Sequence, residues 1–262
     1  MHSANGIHYL LHQPKDANPS RPPLILIHGA GGSFLSWHPY LRRLQGETVY
    51  TLDLPGHGES KGEGRQTIEA YADDIAAFLD ELHIVPAIIV GLSMGSGIAL
   101  TLALNFPHKV KALALLGSGA KLRVAPTILE NIGKPELFAE TVAQINNACF
   151  SKNIPNDLLV LSEKNMLAAG ARVLQQDFRA CDRFDVTTQL SQIKIPTLVL
   201  CGAEDKMTPP KHSQYLKDNL PNARLHLLEK TGHILTLEQP ETAAKHLKHF
   251  LDEVTPRPPA GH

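Results

Sequence analysis

Apolar positions along the chain fall into two rhythms. Short unbroken runs occur at Leu24–His28 (LILIH), Thr48–Leu52 (TVYTL), Ala87–Val90 (AIIV), Ala112–Leu116 (ALALL), Thr197–Leu200 (TLVL) and Leu225–Leu228. Their length and continuity are those of strands buried on both faces. Between them the spacing changes. Thr67–His83 sets Ile68, Tyr71, Ile75, Phe78 and Leu82 on one stripe, with Asp73, Asp74 and Glu81 off it, which predicts an amphipathic helix. Ser93–Phe106 reads as an apolar helix stopped by Pro107, and Pro209–Leu220 as a helix with Pro in its first turn. Thr242–Val254 closes the pattern, with Ala243, Leu247, Phe250, Leu251 and Val254 facing in. Such alternation predicts an α/β fold: a mostly parallel, doubly wound sheet with right-handed crossovers.

The alternation breaks between about Lys121 and Gln192. No buried-strand run occurs there, and Pro135–Phe150 and Asn156–Phe178 read as helices. The expected organisation is a core built from residues 1–120 and 191–254, with a helical cap, 121–190, inserted into it. Only Ile7–Gln13 is readable as strand at the N-terminus. The Pro-rich end, residues 255–262 (TPRPPAGH), is expected to be a flexible tail.

Composition narrows the function classes. Hydrophobic residues make up 43% and charged residues 19% of the 262-residue chain, ordinary for a globular protein. A net charge of −1 gives no electrostatic footprint for nucleic acid or an anionic membrane surface. The three cysteines, Cys149, Cys181 and Cys201, are far apart and form no CxxC pair, which argues against a disulfide framework or zinc ribbon and fits a reducing compartment. Met1–Gln13 lacks a basic segment followed by an apolar one, so no signal peptide and a cytoplasmic location are expected. The uncharged stretch His83–Asn105 contains Pro86, Gly91, Gly95 and Gly97, and reads as strand, turn and helix rather than a membrane span.

The chemistry concentrates at strand exits. Gly91-Leu92-Ser93-Met94-Gly95 is a G-x-S-x-G pattern flanked by the required strand and helix. A serine on such a turn projects its hydroxyl from the sheet edge, with glycines relieving the contact between strand and helix. Serine needs a base, and the base needs a carboxylate to fix its tautomer. Asp205 lies just past the run Leu198–Cys201, and His233 just past Leu225–Leu228, after Gly232. Asp205 can also be read as a cap for the following helix, and its neighbour Glu204 is the alternative acid. The expected catalytic residues are Ser93, Asp205 and His233.

Two further turns flank this set. His28-Gly29-Ala30-Gly31-Gly32-Ser33 follows the first buried run, and its backbone can supply one oxyanion donor, Ala30 or alternatively Gly31. The other donor is expected from Met94, the residue after the nucleophile. A phosphate-binding reading fails, because neither GK[ST] nor G-x-G-x-x-G occurs here. His28 reads as a structural hydrogen-bonding residue. Asp53, in the turn Asp53–Ser60 (DLPGHGES), could be taken for the catalytic acid but reads as structural. The pairs His246/His249 and His8/His12 have metal-like spacing, but read as solvent-facing on a helix and a strand. No cofactor and no metal are expected.

Taken together, HGAGGS, DLPGHGES, GLSMG, GAEDKMTP and KTGH resemble the motifs of the α/β-hydrolase superfamily in order and spacing, over Pro23–Gly119 and Ile193–Val254. The nearest likeness is to small bacterial serine esterases and enol-lactonase-like hydrolases, which implies a cofactor-free enzyme acting on small molecules. Ser93 sets the chain apart from haloalkane dehalogenases and epoxide hydrolases, which resemble this fold but carry aspartate at that place. The abbreviated N-terminal strands and a cap without a mappable motif depart from the pattern. The leading expectation is hydrolysis of a carboxylic ester or lactone through an acyl-enzyme on Ser93. Alternatives are a C–C bond hydrolase of vinylogous diketones, for which Arg172, Arg179 and Arg183 are candidate cations, and a slow-turnover ligand receptor that keeps the triad. Perhydrolysis would be a side activity of the same site.

Overall fold

A computed structural model describes residues 2–152 and 154–256. Eight strands form one sheet: β1 (His2–Ala4), β2 (Ile7–His12), β3 (Leu24–Ile27), β4 (Val49–Leu52), β5 (Ala87–Leu92), β6 (Val110–Leu116), β7 (Thr197–Gly202) and β8 (Ala223–Leu228). Their spatial order is β1-β2-β4-β3-β5-β6-β7-β8. The first two strands are antiparallel, and β3 to β8 run parallel. The N-terminus is therefore a hairpin rather than one strand. Asn5 and Gly6 adopt φ of +47° and +74°, the left-handed pair that a two-residue hairpin turn needs.

The helices are α1 (Pro39–Arg42), α2 (Ile68–Glu81), α3 (Met94–Asn105), α4 (Pro126–Asn131), α5 (Pro135–Cys149), α6 (Asn156–Ala169), α7 (Ala171–Arg183), α8 (Pro210–Asn219), α9 (Leu235–Glu238) and α10 (Pro240–Val254). Alternate residues of the strands face opposite layers. Ile25, Ile27, Ile89, Leu113 and Val199 pack with the apolar side chains of α2, α3 and α8. Leu24, Leu26, Val90, Ala114 and Leu200 pack with Trp37, Leu41 and Leu247, Phe250 and Leu251 of α10. Helix α3 is buried on every side from Met94 to Ala103, which explains its lack of a polar face. The uncharged stretch 83–105 thus divides between β5, a turn and α3, and no helix among the described residues is long and apolar enough to cross a membrane.

Helices α4 to α7 all lie between β6 and β7. The chain leaves and re-enters at adjacent points, since Lys121 and Asp185 form an isolated antiparallel bridge and the Val186 N–H donates to the Ala120 carbonyl (2.8 Å). These helices have their own apolar cluster, with Ile132, Val142, Ile145, Phe150, Leu174 and Phe178 buried together. The expected single helix Asn156–Phe178 is instead two. Gly170, at φ +82°, ends α6, and α7 runs on to Arg183. An isolated glycine is tolerated inside a helical stretch, so the sequence does not mark the break; the glycine is what permits the turn. Of the tail expected to be flexible, residues 257–262 lie outside the described residues.

Candidate active site

The sheet changes winding direction between β3 and β5, and in open α/β sheets the crevice beyond the carboxyl ends at such a point is where ligands bind. Both neighbouring strands end there in a tight turn. After β5, Ser93 adopts φ +54°, ψ −116°, a conformation that costs a non-glycine residue ~1–3 kcal/mol. Three contacts hold it: the Ser93 N–H donates to the Leu116 carbonyl (2.9 Å), the Ser96 N–H donates to the Ser93 carbonyl (2.8 Å), and the Ser96 hydroxyl donates to the Gly91 carbonyl (2.7 Å). A Cβ on Gly91 would overlap the Gly95 carbonyl, and one on Gly95 would overlap the Ile27 carbonyl. Close approach of strand to helix therefore excludes any side chain at either position.

The turns after β7 and β8 bring Asp205 and His233 together. His233 Nδ1 lies 2.8 Å from Asp205 Oδ2, with both residues buried. Asp205 is held from its other side. Its Oδ1 accepts the Met207 (2.9 Å) and Thr208 (2.8 Å) N–H groups, and its Oδ2 also accepts the Thr208 hydroxyl (2.9 Å). Burial alone would raise this carboxyl, but the His233 charge and the donors around it outweigh burial and hold Asp205 below the ordinary carboxylate range. The His233 backbone N–H donates to the Cys149 carbonyl (2.7 Å), and a Cβ at Gly232 would come within 2.6 Å of the Ser151 nitrogen. Glu204 does not join this pair; it faces the Lys152 amide at 3.4 Å.

In the loop after β3, the Gly32 N–H donates to the Gly29 carbonyl (3.1 Å), which places Ala30 and Gly31 at the centre of a turn. The Gly31 N–H donates to Asp177 Oδ2 (2.8 Å). Among the described residues, the Ala30 and Met94 amides donate to no protein acceptor. His28 Nδ1 faces the Gly29 carbonyl (2.8 Å), and its Nε2 accepts the Leu54 N–H (3.0 Å), so the ring is neutral. Burial first, and then the charge of His57, push it down to about 4.

Asp53 is fully buried but turned elsewhere: it accepts the Phe34 N–H (2.7 Å) and Glu59 N–H (3.0 Å) and pairs with His8 Nδ1 (2.8 Å). This corrects the reading of His8 as solvent-facing. It is 6% exposed, because β2 carries it over the carboxylate of the neighbouring turn.

Two cavities meet at Ser93. One, of ≈ 80 Å³, is bordered by the 29–32 turn, Leu35, Ile145, Cys149, Asn165, Met166, Phe178, His233, Ile234 and Leu237. The other, of ≈ 50 Å³, is bordered by Leu122, Arg123, Val124, Cys181 and Thr208. Ala30, Phe178 and Met207 border both. Of eight apolar residues on the segment 121–190 (Ile128, Leu129, Leu137, Phe138, Leu158, Leu161, Met166, Leu167), Met166 borders a cavity. Ile128, Leu129, Phe138 and Leu167 pack on the helices' own cluster, Leu137 and Leu158 are half-buried, and Leu161 is 51% exposed. Ile145, Cys149 and Phe178, which the sequence reading does not single out, border cavities because they sit on the inward faces of α5 and α7. Arg172, Arg179 and Arg183 are exposed and border neither cavity; Arg172 pairs with Glu63 (2.7 Å).

Known proteins agree with this architecture. The family model described as "alpha/beta hydrolase fold" matches residues 22–153 and 150–240. A pimeloyl-[acyl-carrier protein] methyl ester esterase of Neisseria meningitidis is 31% identical over 244 residues, covering 88% of this chain and 94% of that protein. Among solved structures, Est816, described as an N-acyl homoserine lactone degrading enzyme, superposes with a TM-score of 0.79 at 26% identity, covering 93% of this chain and 96% of the other. The enol-lactonase of Burkholderia xenovorans shares the fold, with a TM-score of 0.85 at 23% identity over 94% of this chain and 96% of its own. The chain belongs to the α/β-hydrolase family, among relatives that include esterases.

Proposed function

We propose that this chain is a serine hydrolase that cleaves a small carboxylic ester or lactone through an acyl-enzyme on Ser93. The observation that carries the reading is the joint placement of a strained Ser93 and a carboxylate-held His233 on one cavity wall. Ser93 Oγ attacks the carbonyl carbon while His233 Nε2 takes its proton, and Asp205 keeps the other imidazole proton on Nδ1. The carbonyl oxygen becomes an oxyanion that accepts the free N–H groups of Ala30 and Met94; one such donor contributes ~10²–10³ in rate. The C–O bond to the alcohol then breaks, and His233 returns its proton to the departing alkoxide. A water deprotonated by His233 attacks the acyl-serine, and the acid leaves as Ser93 regains its proton. In a lactone the leaving alkoxide stays tethered to the acyl group. Nucleophile, base and oxyanion donors are all protein groups, so the scheme uses no metal or cofactor.

Substrates with two apolar arms suit the paired cavities. His233, Ile234 and Leu237 border the larger cavity, and the alkoxide must receive its proton from His233, so the leaving group belongs on that side. The acyl arm then occupies the smaller cavity beside Leu122 and Val124. Helices α5 to α7 contribute the roof and act as a cap that sets selectivity. The methyl ester esterase and the lactone-degrading enzyme, by their descriptions, act on ester and lactone bonds. The exposed Arg172, Arg179 and Arg183 give the C–C hydrolase alternative no support. A panel of p-nitrophenyl esters, lactones and vinylogous diketones tests the reading: turnover of esters or lactones is expected, and turnover of diketones alone would overturn it.

A further inference from the structure

Asp177 is fully buried on α7, and no step of the proposed chemistry uses it. Three donors converge on its carboxylate. Oδ2 accepts the Gly31 N–H (2.8 Å) and faces His57 Nε2 (2.8 Å), while Oδ1 accepts the Tyr71 hydroxyl (2.6 Å). The other nitrogen of His57, Nδ1, faces the Pro55 carbonyl (3.1 Å). With acceptors at both nitrogens the ring carries both protons, and Asp177 and His57 form a buried ion pair. Such a pair gives little net stability, but breaking it leaves an uncompensated charge, so its geometry is tightly imposed.

We propose that Asp177 is a positioning residue for the oxyanion turn. The proposal rests on the reading of Ser93 and Ala30 given above. The turn has two candidate amides, Ala30 and Gly31, and Gly31 sits in the left-handed region at φ +62°. A bond from its N–H to Asp177 takes the Gly31 amide out of contention and fixes the peptide plane that joins Ala30 to Gly31. At the other end the Gly29 carbonyl is held by the Gly32 N–H and faces His28 Nδ1. Pinned at both ends, the turn keeps the Ala30 N–H as the donor left over for the reaction. Asp177 adjoins Phe178, which borders both cavities, so one helix fixes the oxyanion turn and a substrate wall together.

Asp177→Asn is the test. An amide has one acceptor oxygen for three donors, so the hold on Gly31 competes with the Tyr71 hydroxyl and His57. Rates are taken per Ser93 site titrated with a fluorophosphonate, so that loss of folded protein does not count. A fall in kcat of ~10- to 100-fold with KM within about 3-fold is expected, as for a displaced oxyanion donor. NMR hydrogen exchange at the Gly31 amide should be faster in the variant than in the wild type. Unchanged kcat per titrated site, with or without a lower Tm, would make Asp177 merely structural and overturn the proposal. If Asp177→Asn yields no folded protein, His57→Gln takes its place, with a smaller kcat loss and faster Gly31 exchange expected; an unchanged kcat there overturns it equally. Wild-type protein that turns over no ester or lactone refutes the underlying reading instead, a result separate from any variant-to-wild-type ratio.

Discussion

Asp205→Asn exchanges one atom of a buried carboxylate, and the structure dictates which way the amide must face. Oδ1 accepts two backbone N–H groups, from Met207 at 2.9 Å and Thr208 at 2.8 Å. An –NH₂ cannot take that place, so the amide oxygen stays there and the nitrogen occupies the position 2.8 Å from His233 Nδ1. That nitrogen donates, so Nδ1 must accept, and the imidazole proton moves to Nε2. The base then presents a proton where Ser93 needs a lone pair. A tautomer change of this kind costs about 10⁴ in kcat at neutral pH, equivalent to about 5 kcal/mol of transition-state stabilisation. The backbone donors remain satisfied, so the variant should fold. Steady-state hydrolysis of a p-nitrophenyl ester, with circular dichroism as the folding control, measures the loss. Asp53→Asn and Glu204→Gln serve as comparisons, since neither residue faces His233. A folded Asp205→Asn within 10-fold of wild type, or a larger catalytic loss from folded Asp53→Asn, would refute the assignment.

Three other outcomes follow from the site. Val124→Phe narrows the smaller cavity and should lower kcat/KM for long acyl chains while acetyl esters stay within ~3-fold; because a methylene is worth ~1–3 kcal/mol, the profile should shift by degrees, and an unchanged chain-length profile would place the acyl arm elsewhere. Exhaustive EDTA treatment should leave the rate unchanged, whereas a loss restored by zinc or manganese would require a metal step. Burial lowers His57, but the Asp177 charge and bond outweigh it and hold the imidazole above its ordinary value. The stability it contributes is therefore complete below the unfolded value of ~6.5 and lost as pH rises through the raised folded one. Urea unfolding should show the gap between wild type and His57→Gln shrinking from pH 6 to pH 9, and a widening gap would reverse the assigned charge.

How far the site was legible depends on how local its causes are. Ser93, Asp205 and His233 each follow a short apolar run and sit in turns whose residues announce the bend, so strand exits alone line them up in order. Asp177 carries no such signal. Its partners Gly31, His57 and Tyr71 lie 146, 120 and 106 residues away, and on α7 it differs in sequence from the half-exposed Asp182 in nothing but the face it presents. The burial of His8 is equally non-local: it comes from Asp53, brought alongside by β2–β4 pairing. Among α4 to α7 the apolar residues divide between packing and cavity wall according to helix rotation, which composition does not encode. The break between α6 and α7 has a single local mark, Gly170, and one glycine does not by itself end a helical stretch.

In the proposed scheme Ser93 Oγ is the nucleophile that becomes acylated. Treatment of the purified protein with a fluorophosphonate, followed by peptide mass spectrometry, tests it most directly. One adduct, on the peptide carrying Ser93, is expected, with activity lost in proportion to labelling and no adduct on Ser93→Ala. Complete inactivation with the adduct on another residue, or full activity with Ser93 fully labelled, would contradict the account.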